Sequence, residues 1–158
     1  GWIAGPGDED KDYAAECRAL VSSLGLEKNV EFLGFQKIDE LLPKVGVIVL
    51  SSISEALPLV LLEGFAAGVP AVSTDVGSCR QLIEGLDEED RAFGKAGSVV
   101  GIADPEALGK AVAHLLKNPD TWHQAQQAGI RRVENLYTQQ QMFASYRALY
   151  QGLLGEDS

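Results

Sequence analysis

The run Val45-Gly46-Val47-Ile48-Val49-Leu50 passes into Ser51-Ser52-Ile53-Ser54-Glu55-Ala56-Leu57-Pro58, and then into Leu59-Val60-Leu61-Leu62-Glu63-Gly64-Phe65-Ala66-Ala67-Gly68-Val69-Pro70-Ala71-Val72-Ser73. The first part is nearly all apolar, the pattern of a parallel strand covered on both faces. The second is a loop ending in Pro58, a residue that suits a helix start. From Pro58 to Ala67 a helix is expected, and Gly68 closes it. Ala71–Ser73 then reads as a second short strand. Strand, crossover helix and strand make a right-handed βαβ unit.

Working outward, the alternation continues. Trp2–Ala4 reads as a strand, Asp12–Leu24 as a helix closed by Gly25, and Val30–Leu33 as a strand. Ile38–Leu42 reads as a short helix stopped near Pro43. Downstream, Ser78–Glu84 is expected as a helix and Val99–Ile102 as the last strand. Asp104-Pro105-Glu106 and Asn118-Pro119-Asp120 are helix starts, and Thr138 with Gln141 is a capping box. The expected fold is therefore α/β, a doubly wound, Rossmann-like parallel sheet with a helical C-terminus, in one domain over residues 1–158.

Composition agrees with one folded core. The chain has 158 residues, 46% apolar and 23% charged. A domain of that size buries roughly 70% of the surface of its unfolded chain. Net charge is -10, from 13 Lys and Arg against 23 Asp and Glu. That balance argues against nucleic acid as a partner and against docking on an anionic membrane. No apolar run reaches the ~18 residues of a membrane span. Cys17 and Cys79 stand alone, so buried thiols in a reducing, cytoplasmic setting are expected. No His or Cys lies at metal-ligand spacing, and no metal site is expected. The chain opens with Gly1 inside a strand-like run, which reads as a piece of a longer protein without a leader.

In open parallel sheets, ligands sit past the carboxyl ends of the strands. Glu55 falls there. The amides of Leu59 and Val60, at a helix start, have no partner within the helix and form an anion site. Glu63 is the only ionisable residue between Ala56 and Thr74. It shares a helical face with Leu59, Ala66 and Ala67, while Leu61, Leu62 and Phe65 face the core. Among small apolar residues its carboxylate needs donors, which the hydroxyls of a ribose would supply. A solvated loop acid at Glu55 and a water-facing or helix-bonded Glu63 are the plain alternatives. Gly5-Pro6-Gly7 hints at a dinucleotide loop, but Asp10 replaces the third glycine and the loop is acidic, so an NAD site is rejected.

Glu55, seven residues, then Glu63, followed by Gly68-Val69-Pro70, resembles the E-x7-E signature of the retaining glycosyltransferases of the GT-B fold, family 4. Val30-Glu31-Phe32-Leu33-Gly34 is similar to the strand that precedes it there. Ala71-Val72-Ser73-Thr74-Asp75-Val76-Gly77 is similar to the strand and glycine turn that follow. The resemblance runs to about Ala113. Within the family, Gly34 to Pro43, Ser51 to Gly85 and Glu88 to Ala92 look like the glycosyltransferases of bacterial Pel-type exopolysaccharide synthesis.

The resemblance implies the donor-binding, C-terminal half of a GT-B fold, lacking its first strand–helix unit. It implies a nucleotide-sugar substrate, a UDP-sugar for a Pel-type enzyme, and no other cofactor. By it, Glu63 holds the ribose hydroxyls and Glu55, the catalytic candidate, contacts the donor sugar. The amides of Leu59 and Val60 cradle the diphosphate, and Gly34, Phe35 and Gln36 border the base. The partners implied are an N-terminal acceptor domain of the same protein and membrane-bound polysaccharide export proteins. Two features depart from the family: Pro58 stands where many members have glycine, and Arg80-Gln81 where a Glu is common. The family's Arg and Lys for the diphosphate lie in the missing unit, so the piece alone is expected to be inactive and to bind nucleotide weakly. Half of a sugar-nucleotide epimerase and a non-catalytic doubly wound module are the alternatives. Met142, Phe143, Tyr146, Leu149, Tyr150 and Leu153 form one helical stripe, expected to pack on its own domain or else to invite a dimer.

Overall fold

A computed structural model describes residues 1–5 and 11–155, with side-chain burial described through Gly152. Pro6, Gly7 and Asp10, on which the rejected dinucleotide loop turns, lie outside the described residues, as does the side chain of Leu153. The chain divides into two compact units, Gly1–Pro43 and Lys44–Ser158.

In the first unit, β1 (Trp2–Ala4) pairs in parallel with β2 (Glu31–Gly34), and α1 (Lys11–Ser23) connects them. Gly25 ends α1 in the left-handed region, as expected of a glycine past a helix terminus. Arg18 of α1 stacks its guanidinium on the Phe32 ring, 4.4 Å from the centroid. The unit also contains α2 (Ile38–Leu41). A single 3-10 turn, Leu42–Lys44, carries Pro43 rather than stopping before it.

The second unit contains β3 (Ile48–Leu50), α3 (Leu59–Ala66), β4 (Ala71–Thr74), α4 (Cys79–Glu84), α5 (Glu88–Arg91), β5 (Gly97–Val100), α6 (Pro105–Lys117), α7 (Pro119–Leu136) and α8 (Gln139–Gly155). Its sheet is parallel in the order β3-β4-β5. Successive side chains of β4 point to opposite faces. Ala71 joins a core with Leu61 and Phe65 of α3 and Leu82 and Ile83 of α4. Val72 joins Leu115 of α6 and Ala125 of α7 on the other face. Helices thus cover both faces, the doubly wound arrangement.

Two expectations about strands are corrected. The most buried strand is β4, all four of whose residues are buried, and not β3, whose Val49 is 47% exposed. The reason is position: β4 is central in the sheet and β3 is an end strand, shorter than its apolar run. The last strand begins at Gly97, two residues before the expected start, because Gly97 pairs with Ala71. A side chain at Gly97 would collide with the Ala71 backbone, so glycine here permits close strand approach.

The acidic segment between α4 and β5 has a structural cause. Asp87 caps α5 by accepting from the amide of Asp90 at 2.9 Å. Asp90 accepts from the amide of Leu86 at 2.8 Å and pairs with Arg132 of α7. Arg132 is fully buried and donates also to the carbonyls of Leu82, Ile83, Asp90 and Gly94. Its five N–H donors are thereby all used, which is the condition for burying a guanidinium.

The helix starts behave as read. Asp104 accepts from the amide of Ala107 at 2.8 Å. Thr138 and Gln141 cap each other reciprocally, at 2.9 and 3.3 Å. The stripe on α8 does not pack closely: Met142, Phe143, Tyr146, Leu149 and Tyr150 are each 48–60% exposed. Among the described residues no helix is long and apolar enough to cross a membrane.

Candidate functional site

The turns past β3 and β4 are tied to one another at the carboxyl end of the sheet. Thr74, the buried last residue of β4, donates its hydroxyl to the carbonyl of Ser52 at 2.5 Å. Ser78 donates its amide to the carbonyl of Ala56 at 3.0 Å, and its hydroxyl reaches the same oxygen. Gly77 sits at φ 49°, where a side chain would strike the carbonyls of Glu55 and Ala56. The backbone around Glu55 is therefore fixed from below by β4 and its turn.

Glu55 is half-buried, and Ser52 donates its hydroxyl to Glu55 Oε1 at 2.7 Å. One carboxylate oxygen is thus held while the other has no protein donor among the described residues. Ser52, Thr74 and Ser78 were not read from the sequence as part of the site. The Ser52 to Glu55 spacing of i to i+3 is the one signal that could have flagged the first of them.

Pro58 is the N-cap of α3, in extended conformation, and provides no side-chain cap. The amide of Leu61 donates back to the Pro58 carbonyl at 3.1 Å. The amides of Leu59 and Val60 have no acceptor among the described residues. They form an uncapped helix start with the positive end of the dipole uncompensated.

Glu63 lies one turn further along α3. The facing is as expected: Leu59 is 61% exposed, Ala66 and Ala67 are exposed, and Leu61 and Phe65 are buried. The environment is not. Glu63 is itself exposed, so the expected carboxylate enclosed by small apolar residues is corrected to one standing in solvent beside Leu59. Small neighbours leave a long side chain uncovered. Its need for donors is met by water, and a ligand diol would exchange with that water rather than relieve a buried charge.

Arg80 is committed elsewhere. It grips Asp75 with two nitrogens, at 2.7 and 3.1 Å, and Glu84 at 2.8 Å. Lys95 adds a bond to Glu84 at 2.9 Å. These bonds raise the pKa of Arg80, chiefly through Asp75 and then Glu84. The pKa of Glu84 is lowered, first by the Lys95 hydrogen bond and, against its burial, by Arg80. Arg80 thus latches the Gly77 turn to α4.

Gly34, Phe35 and Gln36 belong to the first unit. Gly34 ends β2 at φ 65°, Phe35 is 79% exposed, and Gln36 turns its amide back to the Leu33 carbonyl at 2.8 Å. Among the described residues no group of three His, Cys, Asp or Glu could hold a metal ion.

Comparison with known proteins gives the family and the fold. A curated relative, the N-acetyl-alpha-D-glucosaminyl L-malate synthase of Bacillus anthracis, is 28% identical over 139 residues, which is 87% of this chain and 34% of the relative. An exopolysaccharide phosphotransferase of Streptomyces coelicolor is 38% identical over 109 residues, 68% of this chain and 11% of the relative. Among solved structures, Anabaena HepE in complex with UDP and glucose superposes with a TM-score of 0.76 at 21% identity, over 93% of this chain and 40% of that one. The chain thus spans about two fifths or less of the length of the curated relatives it matches, and its α/β, Rossmann-like architecture is that of GT-B proteins. Residues 2–132 match the family model described as glycosyl transferases group 1, and the chain belongs to that family.

Proposed function

We propose that the chain is the donor-binding domain of a metal-independent, retaining hexosyltransferase that takes a sugar from a UDP-sugar and adds it to a growing exopolysaccharide. The observation that carries this reading is the uncapped start of α3, where the amides of Leu59 and Val60 are unused, with Glu55 before it and Glu63 one turn after. An anionic diphosphate fits the amides and the helix dipole. Glu63, on the same face as Leu59, reaches the ribose hydroxyls. Glu55, held at one oxygen by Ser52, offers the other to hydroxyls of the donor sugar.

The leaving diphosphate gains its stabilisation from amides and dipole, which are oriented before the charge develops. Same-face attack through an oxocarbenium-like transition state would retain the anomeric configuration. The base is assigned to Gly34, Phe35 and Gln36 on the family resemblance alone. An acceptor domain belongs to the same longer protein, which is cytoplasmic and works with membrane-bound export proteins of Pel type. The exopolysaccharide phosphotransferase among the relatives and the UDP and glucose bound to HepE support the substrate class.

Calorimetric titration with UDP tests the reading. Weak saturable binding is expected, reduced about tenfold in Glu63→Ala, the worth of one or two charge-assisted hydrogen bonds in water. Equal affinity of wild type and Glu63→Ala would overturn the assignment.

A further inference from the structure

A second hollow lies at the opposite end of the three-stranded sheet. Its volume is about 750 Å³, and it opens where β5 begins, at Gly97, between the Phe93–Lys95 segment, the end of α6 and the first turns of α7. The turns that hold Glu55 lie past the other ends of these parallel strands, beyond Leu50 and Thr74. The two features are thus separated by the length of the sheet.

The lining is one-signed. Lys95, His114, His123 and Arg131 contribute to it, with Thr121 and Gln127 as neutral hydrogen-bonding groups, and no Asp or Glu takes part. The chain has 23 acidic residues against 13 Lys and Arg, so an acid-free surface of this size runs against the composition. Lys95 is partly satisfied by Glu84 at 2.9 Å. Arg131 is exposed and pairs with no carboxylate among the described residues. Both histidines of the chain are in this wall. Asn118 lies 3.3 Å from Nδ1 of His114 and donates to the His114 carbonyl at 2.7 Å. His123 is held edge-on by the Trp122 ring, with centroids 5.3 Å apart. The wall therefore offers a planar guanidinium fork, two imidazoles, an ammonium and a hydroxyl, a set suited to an oxyanion with several acceptor atoms. The volume lies within the range of small-molecule sites and exceeds what a bare anion fills.

We propose that this hollow is a second, donor-independent site for a phosphate oxyanion, as borne by a sugar phosphate. The site is independent of the reading given for the start of α3.

The test follows backbone amide resonances of the chain during titration with a hexose 6-phosphate, with inorganic phosphate, and with the free hexose. Saturable shifts are expected at Gly97, Thr121 and Arg131 with both phosphates and not with the hexose. Tighter binding of the ester identifies a sugar phosphate as the ligand, and equal binding identifies free phosphate. Arg131→Glu, at an exposed position, should weaken binding about tenfold, as loss of a charge-assisted fork does. Lys117→Glu, exposed on α6 and outside the lining, should leave it nearly unchanged. Absence of saturable shifts, shifts confined to Leu59–Glu63, or equal effects of the two charge reversals would overturn the proposal.

Discussion

Ser52 donates its hydroxyl to Glu55 at 2.7 Å, so the acid past β3 is aimed before any ligand arrives. Ser52 is in turn held through its carbonyl by Thr74. If Glu55 contacts the donor sugar, Ser52→Ala should leave UDP affinity unchanged and lower UDP-sugar affinity about fivefold, the worth of one ordinary hydrogen bond. Parallel titrations with UDP and UDP-glucose check this.

The Gly77 turn is under backbone constraint. Gly77→Ala would place a methyl group at positive φ against the carbonyls of Glu55 and Ala56. A loss of at least about 1–2 kcal/mol of stability is expected, since left-handed backbone and a steric clash act together. Urea denaturation measures it.

Arg132 and Asp90 are a buried pair whose partners cannot be replaced by water. Arg132→Met takes the guanidinium from Asp90, leaving that buried carboxylate with the Leu86 amide but no counter-charge, and removes one donor from each of four carbonyls. The expected cost is about 3–5 kcal/mol. A change under about 1 kcal/mol in denaturant unfolding would show that the pair is not closed in solution.

The Glu84 network makes stability depend on acid. Its folded pKa is below the ordinary value of 4.5, because Lys95, and after it Arg80, stabilise the carboxylate against its burial. The unfolded state then binds the proton more readily. The contribution is present above pH 4.5 and is lost as pH falls through the lower folded value. Lys95→Met should raise the Glu84 pKa and flatten this acid-side loss, as read from unfolding midpoints across pH.

The alternation of apolar runs and helical patterns made the doubly wound class legible, and cap residues placed helix starts at Asp104, Asn118 and Thr138 within a residue. Strand burial was not legible. A continuous apolar run does not reveal whether its strand is central, and β3 is not. Gly97 was passed over because its role, close approach to Ala71, depends on a pairing partner distant in sequence. The acidic loop had no sequence explanation for the same reason: Asp90 answers to Arg132, 42 residues away. At the site, the face of α3 carrying Glu63 followed from helical spacing. Its exposure did not, because that depends on what neighbouring elements fail to cover.

The central claim is that the start of α3 receives a nucleoside diphosphate. Its most direct measure is the pair of backbone amide resonances of Leu59 and Val60 during titration with UDP. Saturable downfield shifts at both, reduced in Glu63→Ala, are the expected result. Saturating UDP that leaves both amides unmoved would contradict the account.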